Sequence, residues 1–211
     1  MKIKDIVRLA ALFLQLDVNE EVFKKDADTA FVEAEFNSDK RLKLLKDCTD
    51  FVLNQLATDY LPLKKTERVF SEDGTIPYGE FSRDMLEAVE VKDKFGNSVR
   101  FSHLPDGLFV KVKGETEVTY FYRPEEKSFF DEAETGNCRV SARVTALGVA
   151  AEYCFVCGLF EEAQLWDGRY KDSLKIALRK RAPCPSKRGG GSDVLSQRLE
   201  GLERQRQGLF G

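Results

Sequence analysis

Histidine and tryptophan are almost missing here, with one of each in 211 residues. With His103 alone, any histidine-rich metal set or histidine-based triad would have to be built around one side chain. That residue stands near Asp106, and it is expected as a solvated loop histidine. No glycine-rich phosphate loop, G-x-S-x-G or H-E-x-x-H occurs, so the nucleotide, serine-hydrolase and zinc-protease signatures are all absent. Long apolar runs are missing too. The longest near the N-terminus, Leu9 to Leu16, is broken by Gln15 and has no small-residue cleavage site after it. It reads as neither an export signal nor a membrane span. The five cysteines are therefore expected as reduced thiols.

Apolar residues make up 42% of the chain, enough for a core, and 16 of them are phenylalanine. The net charge of −3 is unevenly spread. From Arg179 to the end there are eight Lys and Arg against three Asp and Glu, or +5, which leaves −8 for the rest. An acidic body with a basic tail suggests a tail that docks elsewhere.

The hydrophobic period divides the chain. Ile3, Ile6, Val7, Ala10, Phe13 and Leu14 recur at helical spacing. A short helix fits Asn19 to Ala27, capped by Asn19, and a longer one from near Ser38 carries Leu42, Leu45, Cys48, Val52 and Leu56 before Pro62 ends it. From Leu61 to Tyr122 the period becomes two: Val89 and Val91, Val99 and Phe101, Leu108, Val110 and Val112, then Val118, Tyr120 and Tyr122. Asp73-Gly74, Gly96-Asn97, Pro105-Asp106-Gly107 and Gly114 separate these runs, which predicts an antiparallel meander. Pro77 marks an edge strand or a bend. The acidic run from Asp131 to Glu134 reads as a solvated link.

Asn137 is then placed to cap a helix carrying Val140, Val144, Leu147, Ala151 and Cys154, with Gly158 as its left-handed C-terminal cap. A second helix from about Phe160 carries Ala163, Trp166, Tyr170, Leu174 and Ala177, and the two are expected to pair as an antiparallel hairpin. A-P-C-P-S-K-R-G-G-G-S is a linker, and the segment beyond it is too short to be stable alone. The expected fold class is α+β: a helical bundle with an inserted antiparallel β-sheet region and an extended C-terminal tail. Residues 1–181 form the domain, with helices over 1–60, the sheet insertion over 61–122 and the terminal helix hairpin over 137–180. Residues 182–211 are linker and docking tail.

Cys154 and Cys157 have the spacing of a metal or redox pair. Zinc needs about four ligands, and Cys48, Cys138 and Cys184 are scattered. A redox pair of the thioredoxin kind sits at the start of a helix, where the dipole favours the thiolate, whereas this one falls at a helix end. Cys154 is therefore expected in the core and Cys157 half-buried near the cap. A small cytosolic thiol, redox or metal-binding protein using Cys154 and Cys157 remains an alternative, as does a non-viral protein-binding module.

Tyr-Phe-Tyr-Arg-Pro, with Tyr122 and Pro124, ends the sheet, and a helix rich in small residues follows the acidic link. The closing helix carries Glu162, Ala163, Trp166 and Tyr170 in an E-A-x-x-W-x-x-x-Y pattern. This segment, about a quarter of the chain, resembles the head-to-tail adaptor (connector, or neck) proteins of tailed bacteriophages, while the sheet portion departs from that pattern. The resemblance implies a structural virion protein with no enzymatic activity, cofactor, metal or membrane association. It also implies a homo-oligomeric, dodecameric ring between the portal protein and a tail or nozzle protein, extending the DNA channel. The ring would sit in the virion neck, after assembly in the host cytoplasm, close to genomic DNA without reading its sequence. An acidic wall would let DNA slide. Adaptor C-termini reach toward the portal, so Leu195, Leu199, Leu202, Leu209 and Phe210 become the expected docking residues. Trp166 and Tyr170 are expected to pack the hairpin, and a buried indole predicts a loss of about 3–5 kcal/mol on Trp166→Ala.

Overall fold

The computed structural model describes residues 1–24, 27–136 and 140–179, and its architecture is α+β. The helices are α1 (Ile3–Phe13), α2 (Thr29–Ser38), α3 (Lys40–Gln55), α4 (Ala142–Val156) and α5 (Phe160–Arg179). Between α3 and α4 lie β1 (Leu63–Ser71), β2 (Thr75–Pro77), β3 (Met85–Asp93), β4 (Phe101–Leu104), β5 (Gly107–Val110) and β6 (Gly114–Tyr122). The expected stripe of α3 is buried, as are Ile3, Ile6, Val7 and Ala10 of the α1 stripe, with Phe13 and Leu14 half-buried, and α3 closes in a π-type turn in which the Leu61 N–H reaches the Leu56 carbonyl, just before Pro62.

Two local expectations fail. Asn19 does cap, its side chain accepting from the Glu21 N–H at 3.1 Å, but only a four-residue 3-10 turn, Glu20–Phe23, follows. The next helix is α2, which the sequence did not reveal. It is weakly amphipathic, with Val32 its one buried apolar side chain, and it is started by Asp28, which accepts from the Ala30 N–H. At α4, Asn137 lies outside the described residues. The helix begins after Ser141, whose hydroxyl accepts from the Val144 N–H at 3.4 Å.

The strands form no simple meander. They make two three-stranded antiparallel sheets, ordered β1-β6-β3 and β2-β5-β4. The last strand returns to the centre of the first sheet and runs beside β1 from Leu63↔Tyr122 to Ser71↔Gly114. Chain entry and exit are therefore neighbours, as an insertion requires. β2, which holds Pro77, is an edge strand, where a missing N–H is harmless. Along β3 the period-two reading breaks. Ala88 faces Tyr120 and Val91 faces Val118, so four residues of β3 match three of β6. The bulge turns Val89 outward and keeps Ala88 and Val91 buried.

The helical part and the sheets have separate apolar cores. The segment between β6 and α4 ties the helical part to the sheets; the side chains of Asp131 and Glu132 are exposed, but its backbone and Glu134 are engaged, so it is more than a solvated link. Carbonyls of Asp131 and Phe129 accept from the Ile3 and Lys4 N–H groups at 3.0 and 3.1 Å, satisfying the orphan donors at the start of α1. Phe129 is buried between Phe23 and Phe36. Glu134 binds Arg83 and Lys127 at 3.2 and 2.8 Å, and the Arg83 guanidinium lies over the Tyr122 ring.

On the first sheet, Glu67 holds the crossing segment that leads into β3. It accepts from the Ser82 N–H at 3.1 Å, the Tyr120 hydroxyl at 2.8 Å, and the Ser82 hydroxyl. Lys65 pairs with it. Burial acts to raise the Glu67 carboxyl, but bonds from Lys65, Ser82 and Tyr120 together outweigh it and bring it down to about 2. Burial, reinforced by Glu67, pushes the Tyr120 hydroxyl up to about 12. Because the folded carboxyl titrates below its ordinary value, its contribution is present above about pH 4.5 and is lost as pH falls toward 2. Glu67→Gln is therefore expected to lower stability at neutral pH by roughly 1–3 kcal/mol and to flatten the acid limb of stability against pH. Denaturant melts across that pH range measure both.

Candidate interaction surface

The α4–α5 hairpin is built on small residues. Ala146, Gly148, Ala150 and Ala151 are buried along α4. A Cβ on Gly148 would stand 3.0 Å from Val52 Cγ1 and 3.1 Å from Tyr170 Cε2, so α3 and α5 close on α4 at the one position without a side chain. Of the resemblance residues, Ala163 and Tyr170 lie in this packed seam, and Pro124 is buried at the sheet exit. Tyr122 is half-buried beneath Arg83, and Glu162 is exposed. Trp166 is only half-buried. It stacks on Phe13 of α1 at 5.7 Å and 16°, with the Arg169 guanidinium over its ring at 5.0 Å. It thus ties the hairpin to α1 as well as packing within it.

The hairpin turn closes as expected. Gly158 has φ +78, the Leu159 N–H donates to the Cys154 carbonyl at 2.8 Å and the Gly158 N–H to the Phe155 carbonyl at 3.1 Å, a Schellman arrangement. This fixed turn carries an apolar tip. Phe155, Val156 and Phe160 are each 59% exposed and Leu159 48%, with the two phenylalanine rings 5.7 Å apart. Wet apolar side chains on a rigid turn form a surface suited to association. The sequence signal was available: F-V-C-G-L-F is apolar on both sides of a turn glycine, where polar residues are usual.

Cys154 is buried as expected, but Cys157 is exposed, not half-buried, because the helix ends there and nothing packs over the cap. Burial raises the Cys154 thiol, with Glu162 and Cys157 adding to it, and burial pushes Cys48 up to about 12. Both groups are held as thiols, the opposite of what a nucleophilic centre needs. Among the described residues no cluster of three or more His, Cys, Asp or Glu could hold a metal ion. No helix among them is long and apolar enough to cross a membrane. Cys138 and Cys184 lie outside the described residues, as do Leu195, Leu199, Leu202, Leu209 and Phe210. His103 stands on strand β4, not in a loop, with Nδ1 3.1 Å from the Tyr78 hydroxyl, which donates to the Leu104 carbonyl. A groove of about 230 Å³ at the end of the first sheet is lined by charges of both signs, and Arg68 already lies within 3.8 Å of Glu115 and Glu117.

Two substitutions test the seam. Trp166→Ala is expected to cost roughly 1–3 kcal/mol, less than a fully buried indole, because stacking on Phe13 is lost but little cavity forms. Tyr170 is buried, its hydroxyl is pushed upward by burial, and that oxygen has no hydrogen-bond partner among the described residues. Tyr170→Phe is thus expected to leave stability unchanged or raise it by up to about 1 kcal/mol. Equilibrium urea unfolding reads both, and a clear loss for Tyr170→Phe would mean that its hydroxyl is paired.

Comparison with protein-family models finds no match, and comparison with curated proteins finds no similar sequence.

Proposed function

We propose that this chain is a structural, ring-forming protein of the head-to-tail adaptor kind. It assembles in the host cytoplasm and sits in the virion neck between portal and tail. The observation that carries the reading is the rigid apolar tip of the α4–α5 hairpin, from Phe155 to Phe160, within the segment that bears the adaptor-like residues. A fixed helix hairpin that leaves four apolar side chains in water supports a role in assembly. The raised thiol of buried Cys154 counts against the alternative that uses Cys154 and Cys157. In this reading the copies form a dodecameric ring that lines the DNA channel, and the basic C-terminal segment reaches the portal. Its leucines add apolar contact, and repetition around the ring adds avidity.

The test is a chain ending at Gly189, compared with the full chain. The shortened protein is expected to melt at the same midpoint, whereas its attachment to portal-bearing heads, read by sedimentation and electron microscopy, is lost. Attachment at normal yield would remove the docking role. A full-length chain that never joins such heads would remove the adaptor reading itself.

A further inference from the structure

α5 has a second face that the fold does not use. Its buried residues, Ala163, Tyr170 and Leu174, lie on one side. At 100° per residue, Glu161, Leu165, Arg169, Asp172, Ile176 and Arg179 fall within an arc of about 80° on the opposite side. All six are exposed, with Leu165 at 55% and Ile176 at 57%. Along the helix they run acidic, apolar, basic, acidic, apolar, basic. Read backwards, the order is basic, apolar, acidic, basic, apolar, acidic, so every charge meets its opposite and every apolar residue meets an apolar one.

Such a stripe complements itself in one arrangement only. Two copies of α5 laid antiparallel, with the two-fold axis between Tyr170 and Lys171, set Leu165 against Ile176 and Arg169 against Asp172 of the second copy, and bring Glu161 within one residue of the position opposite Arg179. The two-fold axis repeats each contact. A parallel pairing would set each charge against its own kind. Within the subunit, Glu161, Asp172 and Arg179 make no ion pair among the described residues. Arg169 is held over Trp166, which fixes its guanidinium beside the stripe. Gly168 adds an independent observation. It sits mid-helix and exposed beside the stripe, and a Cβ there would meet nothing within 4 Å. Glycine at such a site costs about 1 kcal/mol relative to alanine, so nothing inside the subunit favours it. It leaves room for a second helix to come close.

We infer that the solvent face of α5 is an isologous interface through which two copies of this chain pair antiparallel. The inference is independent of the adaptor reading, because a two-fold pair closes on itself and does not propagate into a ring. One helix face about 30 Å long buries less than the roughly 800 Å² per partner of a standard interface, so the dissociation constant is expected at about 1–100 µM.

Sedimentation equilibrium of the full chain alone, from about 1 to about 300 µM, tests it. The expected result is a monomer–dimer equilibrium. Arg169→Asp places like charges together at two symmetry-related points and is expected to weaken the dimer about tenfold or more, as is Asp172→Arg. The double variant exchanges the signs at both points and is expected to restore dimerisation toward the unmodified level, with circular dichroism melts showing each variant folded. A monomer throughout the range overturns the interface. So does association that neither single variant weakens, or a double variant as weak as the singles. No portal or head is present in this measurement, so its outcome is separate from that of the attachment experiment.

Discussion

The pairing of the first and last strands of the insertion sets the rest of the architecture. Leu63 and Tyr122 are register partners, so the chain leaves the helical part and returns to it at adjacent points. The 60 residues from Leu63 to Tyr122 can then be enclosed between α3 and α4 without separating the helices that must pack together. The joint is reinforced on the return side: Arg83 spans the Tyr122 ring and Glu134, and the segment carrying Glu134 goes on to cap α1 through the Asp131 and Phe129 carbonyls. The residues at the end of the sheet thus act as a coupling between two cores, and Pro124 is buried there.

Where periodicity and burial coincide, the sequence could be read directly. The stripes of α1, α3 and α5, most of α4, the cap at Gly158 and the edge position of Pro77 follow from spacing and backbone chemistry alone. The failures share a physical cause, which is partners distant in sequence. α2 has one buried apolar residue and is held by its neighbours and by the Asp28 cap. The bulge beside Val89 is dictated by β6, more than twenty residues away, and no window on β3 contains that information. The acidic run at Asp131 to Glu134 looks solvated because its hydrogen-bond donors and cations, Ile3, Arg83 and Lys127, come largely from elsewhere.

The site divides in the same way. Tyr170 and Ala163 were legible as packing residues because burial recurs at helical spacing. The half-exposure of Trp166 was not, since it depends on where α1 ends, at Phe13. The cysteine pair shows that spacing alone is a weak guide. The same C-x-x-C that would activate a thiol at a helix start here straddles a helix end, with one sulfur buried and the other in water.

α5 carries two different codes on one helix. One face is apolar and is matched to α4 through Tyr170 and the gap at Gly148. The other alternates charge so regularly that its order changes sign on reversal. A purely solvating face needs charge but no such order, since exposed i, i+4 pairs contribute only a few tenths of a kcal/mol wherever they fall. An ordered stripe with two exposed aliphatic residues and an adjacent unfilled glycine is a pattern that a partner helix can read. Because the core face is packed against α4 and joined to α1 through the Trp166–Phe13 stack, charge changes on the outer face alter association with little effect on the fold. The hairpin tip is different: its apolar side chains project from the turn that closes the two helices, so a change at Phe155 to Phe160 also touches the packing of the hairpin.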